Sequence, residues 1–172
     1  MGPVSAEVEV DASREEVFAL LTDLSLRPSY TDHFLTEFHL LRIDPVGVGA
    51  GARFRIDTPL RSPWADTTIV ALEEPFKVVE AGRTGRTNRI ETHSVWEVTG
   101  GTGGLTKVVF STWTKPTHPV DKLVEGLSRA EGFQRRGWKE ALNRLREILE
   151  GERQIEDRVA VGGGNRYATG IP

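Results

Sequence analysis

Val4, Ala6, Val8 and Val10 alternate with Ser5, Glu7 and Glu9, a period of two that predicts a first strand with one wet face. The period then lengthens. Ser13 and Glu16 stand at the Ser-x-x-Glu spacing of a capping box, and Val17, Leu20, Leu21 and Leu24 fall on one side of the short helix it opens. Pro28 opens a second short helix or turn through Arg27 to Phe34. From Thr36 the period of two returns. It predicts strands over Leu40 to Ile43 and around Phe54 and Ile56, the latter set against Arg53, Arg55 and Asp57, with Gly47-Val48-Gly49-Ala50-Gly51 as the hairpin turn between them. Ala65 to Leu72, Val78 to Ala81, Ile90 to Val98 and Thr106 to Trp113 follow as strands, separated by Pro59 and Pro63, Glu74-Pro75, Thr84 to Thr87 and the glycines of 100–104. Links this short join antiparallel neighbours, because a parallel crossover needs a dozen or more residues. The sheet is a meander of about seven strands, counting the first.

The final element is the longest. Leu123, Leu127, Ala130, Gly137 with Trp138, Ala141, Leu145 and Ile148 recur at steps of three and four, predicting one amphipathic helix from about Pro119 to Glu150. It would run about 45 Å at 1.5 Å per residue, enough to lie across a curved sheet. Gly126, Gly132 and Gly137 each cost up to about 1 kcal/mol relative to alanine, so irregularity is expected around Gly132 to Gly137. The fold class is α+β. Residues 1–150 form the domain, and 151–172 read as an exposed glycine-rich tail.

Composition narrows the function. A chain of 172 residues that is 38% hydrophobic and 27% charged suits one globular domain with a real core. A net charge of -3 without any basic block argues against a nucleic-acid partner. The absence of cysteine excludes disulfides, thiolate catalysis and Cys-ligated metals. No apolar run is long enough to span a bilayer, and residues 1–7 lack the basic and apolar regions of a signal peptide, so a cytoplasmic location is expected.

Candidate chemistry is sparse. Gly47 to Ala52 fits the letters of a dinucleotide fingerprint, but it opens a strand where that fingerprint must open a helix, so no nicotinamide cofactor is expected. No Gly-x-Ser-x-Gly elbow occurs. No two of His33, His39, His93 and His118 share a helix face at metal-pair spacing, and neither a metal nor another cofactor is called for. Glu91 and His93 share a strand face with Glu97, which marks that face as solvated. His33, beside Asp32 at the end of the second short helix, could serve a ligand mouth or merely a wet loop.

The inward polar positions say more. The phase set by Ile90, Trp96 and Val98 brings Thr92 and Ser94 to the buried face, that of Val108 and Phe110 brings Thr112, and Gln134 falls on the apolar face of the last helix. A hydroxyl or amide removed from water without a partner costs about 1–3 kcal/mol. These groups therefore either satisfy one another or line a cavity, since small-molecule sites are mostly apolar with a few convergent polar groups.

The stretch from Val8 to Leu24, the Gly47 to Phe54 hairpin, Glu74-Pro75-Phe76, and Trp96-Glu97-Val98 followed by a glycine turn and Thr106 carry a resemblance. Over about residues 3–150 the chain resembles the helix-grip fold of the START/SRPBCC superfamily, and is most similar to its bacterial polyketide cyclase/dehydrase and lipid-transport members. The resemblance implies a curved antiparallel sheet wrapped on the last helix, two short helices after strand one, and a cavity for a hydrophobic molecule. It carries over no catalytic residue.

On this basis the expected function is binding or transport of a small hydrophobic ligand, lipid or polyketide-like, between sheet and final helix. Tyr30 and Phe34 would stand near the mouth; Phe54, Thr92, Ser94, Trp96, Phe110, Thr112 and Gln134 would line the interior. A cyclase or dehydratase is the alternative, with Asp32, His33, Asp57 or Asp66 as the ionisable groups nearest strand ends, Arg53 and Arg55 being on the outer face. A ligand-free accessory or co-chaperone module is the second alternative. A homodimer is left open.

Overall fold

The computed structural model describes residues 3–59, 62–85, 88–115 and 130–155. Among these, β1 (Val4–Val10) leads through α1 (Arg14–Thr22), a 3-10 turn at Leu24–Leu26 and α2 (Pro28–Thr31) into β2 (Leu35–Leu40) and β3 (Gly51–Ile56). Then come β4 (Trp64–Glu73), β5 (Lys77–Thr84), β6 (Ile90–Gly100), β7 (Thr106–Lys115) and α3 (Ala130–Leu149). The strands form one curled antiparallel sheet in the order β1-β7-β6-β5-β4-β3-β2, so the meander returns the last strand to the side of the first. The beginning of the predicted final helix, with Leu123 and Leu127, and the tail beyond Ile155 lie outside the described residues.

Local chemistry accounts for the short helices. The Glu16 N–H donates to Ser13 Oγ at 3.2 Å and the Ser13 N–H donates to the Glu16 carboxylate at 2.9 Å, which closes the capping box. Val17, Leu20, Leu21 and Leu24 are all buried, and Pro28 sits at the first position of α2.

One strand is displaced from its predicted place. The sequence pattern put it at Leu40 to Ile43, whereas β2 ends at Leu40, and Leu41 and Ile43 stand exposed. The cause is a bulge: the register shifts between Thr36 and His39, where Glu37 takes a positive φ of 49°. A bulge inserts a residue and breaks the alternation on which the reading depended. Gly47 and Gly49 take φ of 81° and 91° in the connection to β3, as the glycine turn requires.

The sheet's inner face divides into two bands. Val78, Trp96 and Phe110 pair across β5, β6 and β7, with Val98, Val108, Val8 and Val10 beyond them, and all are buried. α3 covers this apolar band with Trp138, Ala141, Leu142, Leu145 and Ile148. Its end is pinned where Glu150 Oε1 accepts the Asp11 N–H at 3.1 Å.

α3 is a continuous helix through Gly132 and Gly137, against the expected irregularity. Gly137 is there for space. A Cβ added to it would meet Phe34 Cδ2 at 2.8 Å and Cγ at 2.9 Å, and Phe34 is itself enclosed edge-on against Trp138. Gly137→Ala gains about 1 kcal/mol of helix propensity but overpacks at a cost of about 1–3 kcal/mol, so a net loss is expected. Gly132→Ala, whose Cβ meets nothing within 4 Å, should instead be stabilising. Urea midpoints moving in the same direction for both would contradict this assignment.

Candidate ligand-binding site

Past the apolar band, the inner face turns polar and half-exposed. Register aligns Glu80, Ser94 and Thr112 in one row across β5, β6 and β7, and Thr67, Gly82, Thr92 and Thr114 in the next across β4 to β7. Ser94, Gly82, Thr92, Thr112 and Thr114 are all half-buried, in contrast to Trp96 and Phe110 one row away. Ser94 Oγ donates to Thr112 Oγ1 at 2.9 Å, and Thr112 Oγ1 donates to the His93 carbonyl at 3.1 Å. Ser94 and Thr112 thus partly satisfy each other.

Aromatic side chains bound this band on the side of β2 and β3. Phe38 and Phe54 stack with rings 5.6 Å apart and nearly parallel, both half-buried, and Ile56 continues their face. On the helix side, Trp138 packs on Phe110 at 3.8 Å, and Glu150 reaches Asp11. Those twelve residues of helix cover about 18 Å. The five strand steps from Ala6, the partner of Phe110, to Asp11 cover about 17 Å. α3 therefore runs along the strands, and one row further, about 7 Å, brings Phe133 and Gln134 level with Ser94 and Thr112. Both are half-buried.

Tyr30 and Phe34 do not stand at an opening. Each is enclosed, at 0% and 1% exposure, because α2 is packed under α3 rather than perched at its margin. Asp32 is exposed and ion-paired with Arg144. Asp66 lies on the outer face beside Arg53 and accepts from Asn88 Nδ2 at 2.9 Å. Asp57 is half-buried past the end of β3. His33 Nε2–H donates to the Gly137 carbonyl at 3.0 Å, and burial holds its pKa below the ordinary imidazole value. It ties α2 to α3 as a neutral ring.

Two buried ionisable groups that the sequence pattern did not single out meet in the interior. Arg27, after the 3-10 turn, and Glu80, on the inner face of β5, are each 3% exposed. Arg27 Nη2 donates to Glu80 Oε1 at 2.6 Å and to the Leu21 carbonyl at 3.3 Å. Trp96 Nε1 donates to Glu80 Oε1 at 3.0 Å, and Thr67 Oγ1 donates to Oε2 at 3.0 Å. The guanidinium lies 5.1 Å from the Trp96 ring centroid. Burial opposes its charge, but the Glu80 carboxylate more than offsets this, and the Arg27 pKa is raised. Burial also pushes the Tyr30 phenol up to about 12, so it remains a donor. Among the described residues, no cluster of His, Asp and Glu is placed to hold a metal.

This geometry agrees with comparisons at sequence and fold level. The family model described as polyketide cyclase/dehydrase and lipid transport matches residues 1–150. The chain belongs to that family. No curated protein matches it in sequence. Among solved structures, the polyketide cyclase/dehydrase and lipid-transport chain is similar to the KanY protein, at 21% identity and a TM-score of 0.67 over 88% of this chain and 100% of that one. It is also similar to the major latex-like protein 151 of Panax ginseng (13%, TM-score 0.61, 86% and 97%) and to a START superfamily protein of Mycobacterium smegmatis (14%, TM-score 0.61, 87% and 98%). At these identities the likeness establishes the helix-grip fold. Among the described residues of this family member, no helix is long and apolar enough to cross a membrane.

Proposed function

We propose that this family member binds a small, largely apolar ligand between the half-exposed band of the sheet and the start of α3. The reading rests on one observation: the inner face is closed and apolar on one side of the Ser94–Thr112 row, and open to partial exposure, hydroxyl-lined and flanked by Phe38 and Phe54 on the other. A solid core would not change character mid-strand in this way. The polar groups orient a ligand and the aromatic and aliphatic groups supply its contact area. Carriage of such a ligand is favoured over turnover, because Arg27 and Glu80, the buried ionic groups that meet at the Ser94–Thr112 row, are engaged with each other.

The neutral fluorophore N-phenyl-1-naphthylamine tests this. Saturable one-to-one binding is expected, with a rise in Tm that grows with probe concentration. Thr92→Trp fills the band and should weaken binding at least ten-fold without lowering the Tm of the free protein. Absence of saturable binding, or binding indifferent to Thr92→Trp, overturns the reading.

A further inference from the structure

The connection from β2 to β3 carries aliphatic side chains where a loop is normally polar. Ile43 is 90% exposed and Val48 64%, and Leu41 and Val46 are each about half exposed, four apolar groups within eight residues. Single exposed apolar residues are ordinary, whereas a cluster of them marks a contact surface. The loop is also held in shape. Gly47 N–H donates to the Thr22 carbonyl at 3.3 Å, Gly49 N–H donates to the Ile69 carbonyl at 2.8 Å, and the Pro45 carbonyl accepts from Leu24 N–H at 2.9 Å, so the backbone is tied to the body of the domain. Little ordering entropy is lost when such a prong meets a partner.

The backbone bonds also narrow what that partner is. Leu41 N–H donates to the Gly51 carbonyl at 2.8 Å, Val46 N–H to Asp44 Oδ1 at 3.1 Å and Ala50 N–H to the Gly47 carbonyl at 3.1 Å, while Pro45 has no N–H to satisfy. In water such bonds are optional, because solvent serves an exposed amide equally well; at a hydrocarbon boundary they are required. A protein partner fits less well. Four aliphatic side chains on one loop fall short of the roughly 800 Å² per partner of a stable protein interface, and none is an aromatic anchor. Charge narrows the choice of lipid: Arg42 balances Asp44 within the loop and the whole chain carries -3, so nothing here seeks an anionic surface.

We propose that the Leu41–Val48 loop inserts into the boundary between headgroups and acyl chains of a zwitterionic lipid bilayer and docks the chain peripherally on it. Ile43 and Val48 enter deepest, and Arg42 extends back to the phosphates. The loop joins β3 at Gly51, whereas Phe54 and Ile56, beside the candidate site, lie toward the other end of that strand. Docking is therefore separate from ligand binding and does not rest on it.

Flotation of the full chain with small phosphatidylcholine vesicles tests this. A vesicle-bound fraction is expected at low and at high salt alike, since the attraction is apolar. Ile43→Ser with Val48→Ser should weaken vesicle binding roughly ten-fold or more. Tm and N-phenyl-1-naphthylamine binding should stay unchanged, because both side chains are exposed and neither belongs to the candidate site. The chain has no cysteine, so Ile43→Cys takes a single nitrobenzoxadiazole label, whose emission should shift to the blue on vesicles and be quenched by nitroxide on the acyl chains. The same label at Glu91→Cys, exposed on the outer face of β6, should do neither. No flotation, flotation that high salt abolishes, or equal flotation of the double serine variant overturns the proposal. So does concentration-dependent dimerisation that the serine variant abolishes without any vesicle binding, which would make the loop a protein interface instead.

Discussion

Glu80→Ala is expected to lower the unfolding free energy by about 3–5 kcal/mol, the usual result of removing one partner from a buried ion pair. The loss comes less from the bond removed than from what is left behind. The Arg27 guanidinium would remain 97% buried with no countercharge, while Trp96 Nε1 and Thr67 Oγ1 would each lose their acceptor. Glu80→Gln keeps the shape and one acceptor oxygen but not the charge, and should fall between the two. The double replacement Arg27→Met with Glu80→Leu should recover much of the loss, since a buried pair exchanged for apolar groups of similar volume is often neutral or better. Urea unfolding of the four proteins checks the order. A Glu80→Ala loss below about 1 kcal/mol would mean that water reaches the guanidinium, as at an exposed pair.

The same pair shows what kind of information the sequence carries. Elements whose evidence is local were legible: the alternation in β1, the capping box at Ser13 and Glu16, and the three- and four-residue steps of α3 each repeat within a few residues. Alternation also set the phase of β6 and β7, so Thr92, Ser94 and Thr112 fall on the face of Trp96 and Phe110 as expected. It failed at β2, where the bulge at Glu37 interrupts the period. Depth was not legible at all: a residue at the end of a short helix can be a rim or a core position, and Tyr30 and Phe34 are core. Arg27 and Glu80 lie 53 positions apart, and no local pattern joins a cation in a turn to an anion on a strand. The one available signal was phase, because Glu80 shares the inner face of Val78 two residues before it.

Trp138→Ala should cost about as much as the loss of Glu80, about 3–5 kcal/mol for truncating a buried aromatic residue, or a fall in Tm of roughly 6–20 °C for a chain of this size. Trp138 packs on Phe110 at 3.8 Å and edge-on to Phe34 and Trp96 at 5.1 and 5.7 Å. Among the described residues it is the last enclosed anchor of α3 toward its N-terminal end, since Phe133 and Gln134 beyond it are half-buried. Amide exchange should therefore quicken more at 131–137 than at 141–149, where Ala141, Leu142, Leu145 and Ile148 still hold the helix. A uniform loss of protection along α3 would show instead that the helix docks as one unit. The two variants also share a residue: Trp96 donates its indole N–H to Glu80 and presents its ring to the edge of Trp138. Once either support is gone, Trp96 is free to move, and losing the other removes less than it would alone. The double variant Glu80→Ala with Trp138→Ala should accordingly cost less than the sum of its parts, by about 0.5–3 kcal/mol, the range typical of residues joined through a common contact. Strict additivity would separate the clamp that holds α3 from the ion pair that orders the polar band, and would leave Trp96 a bystander between them.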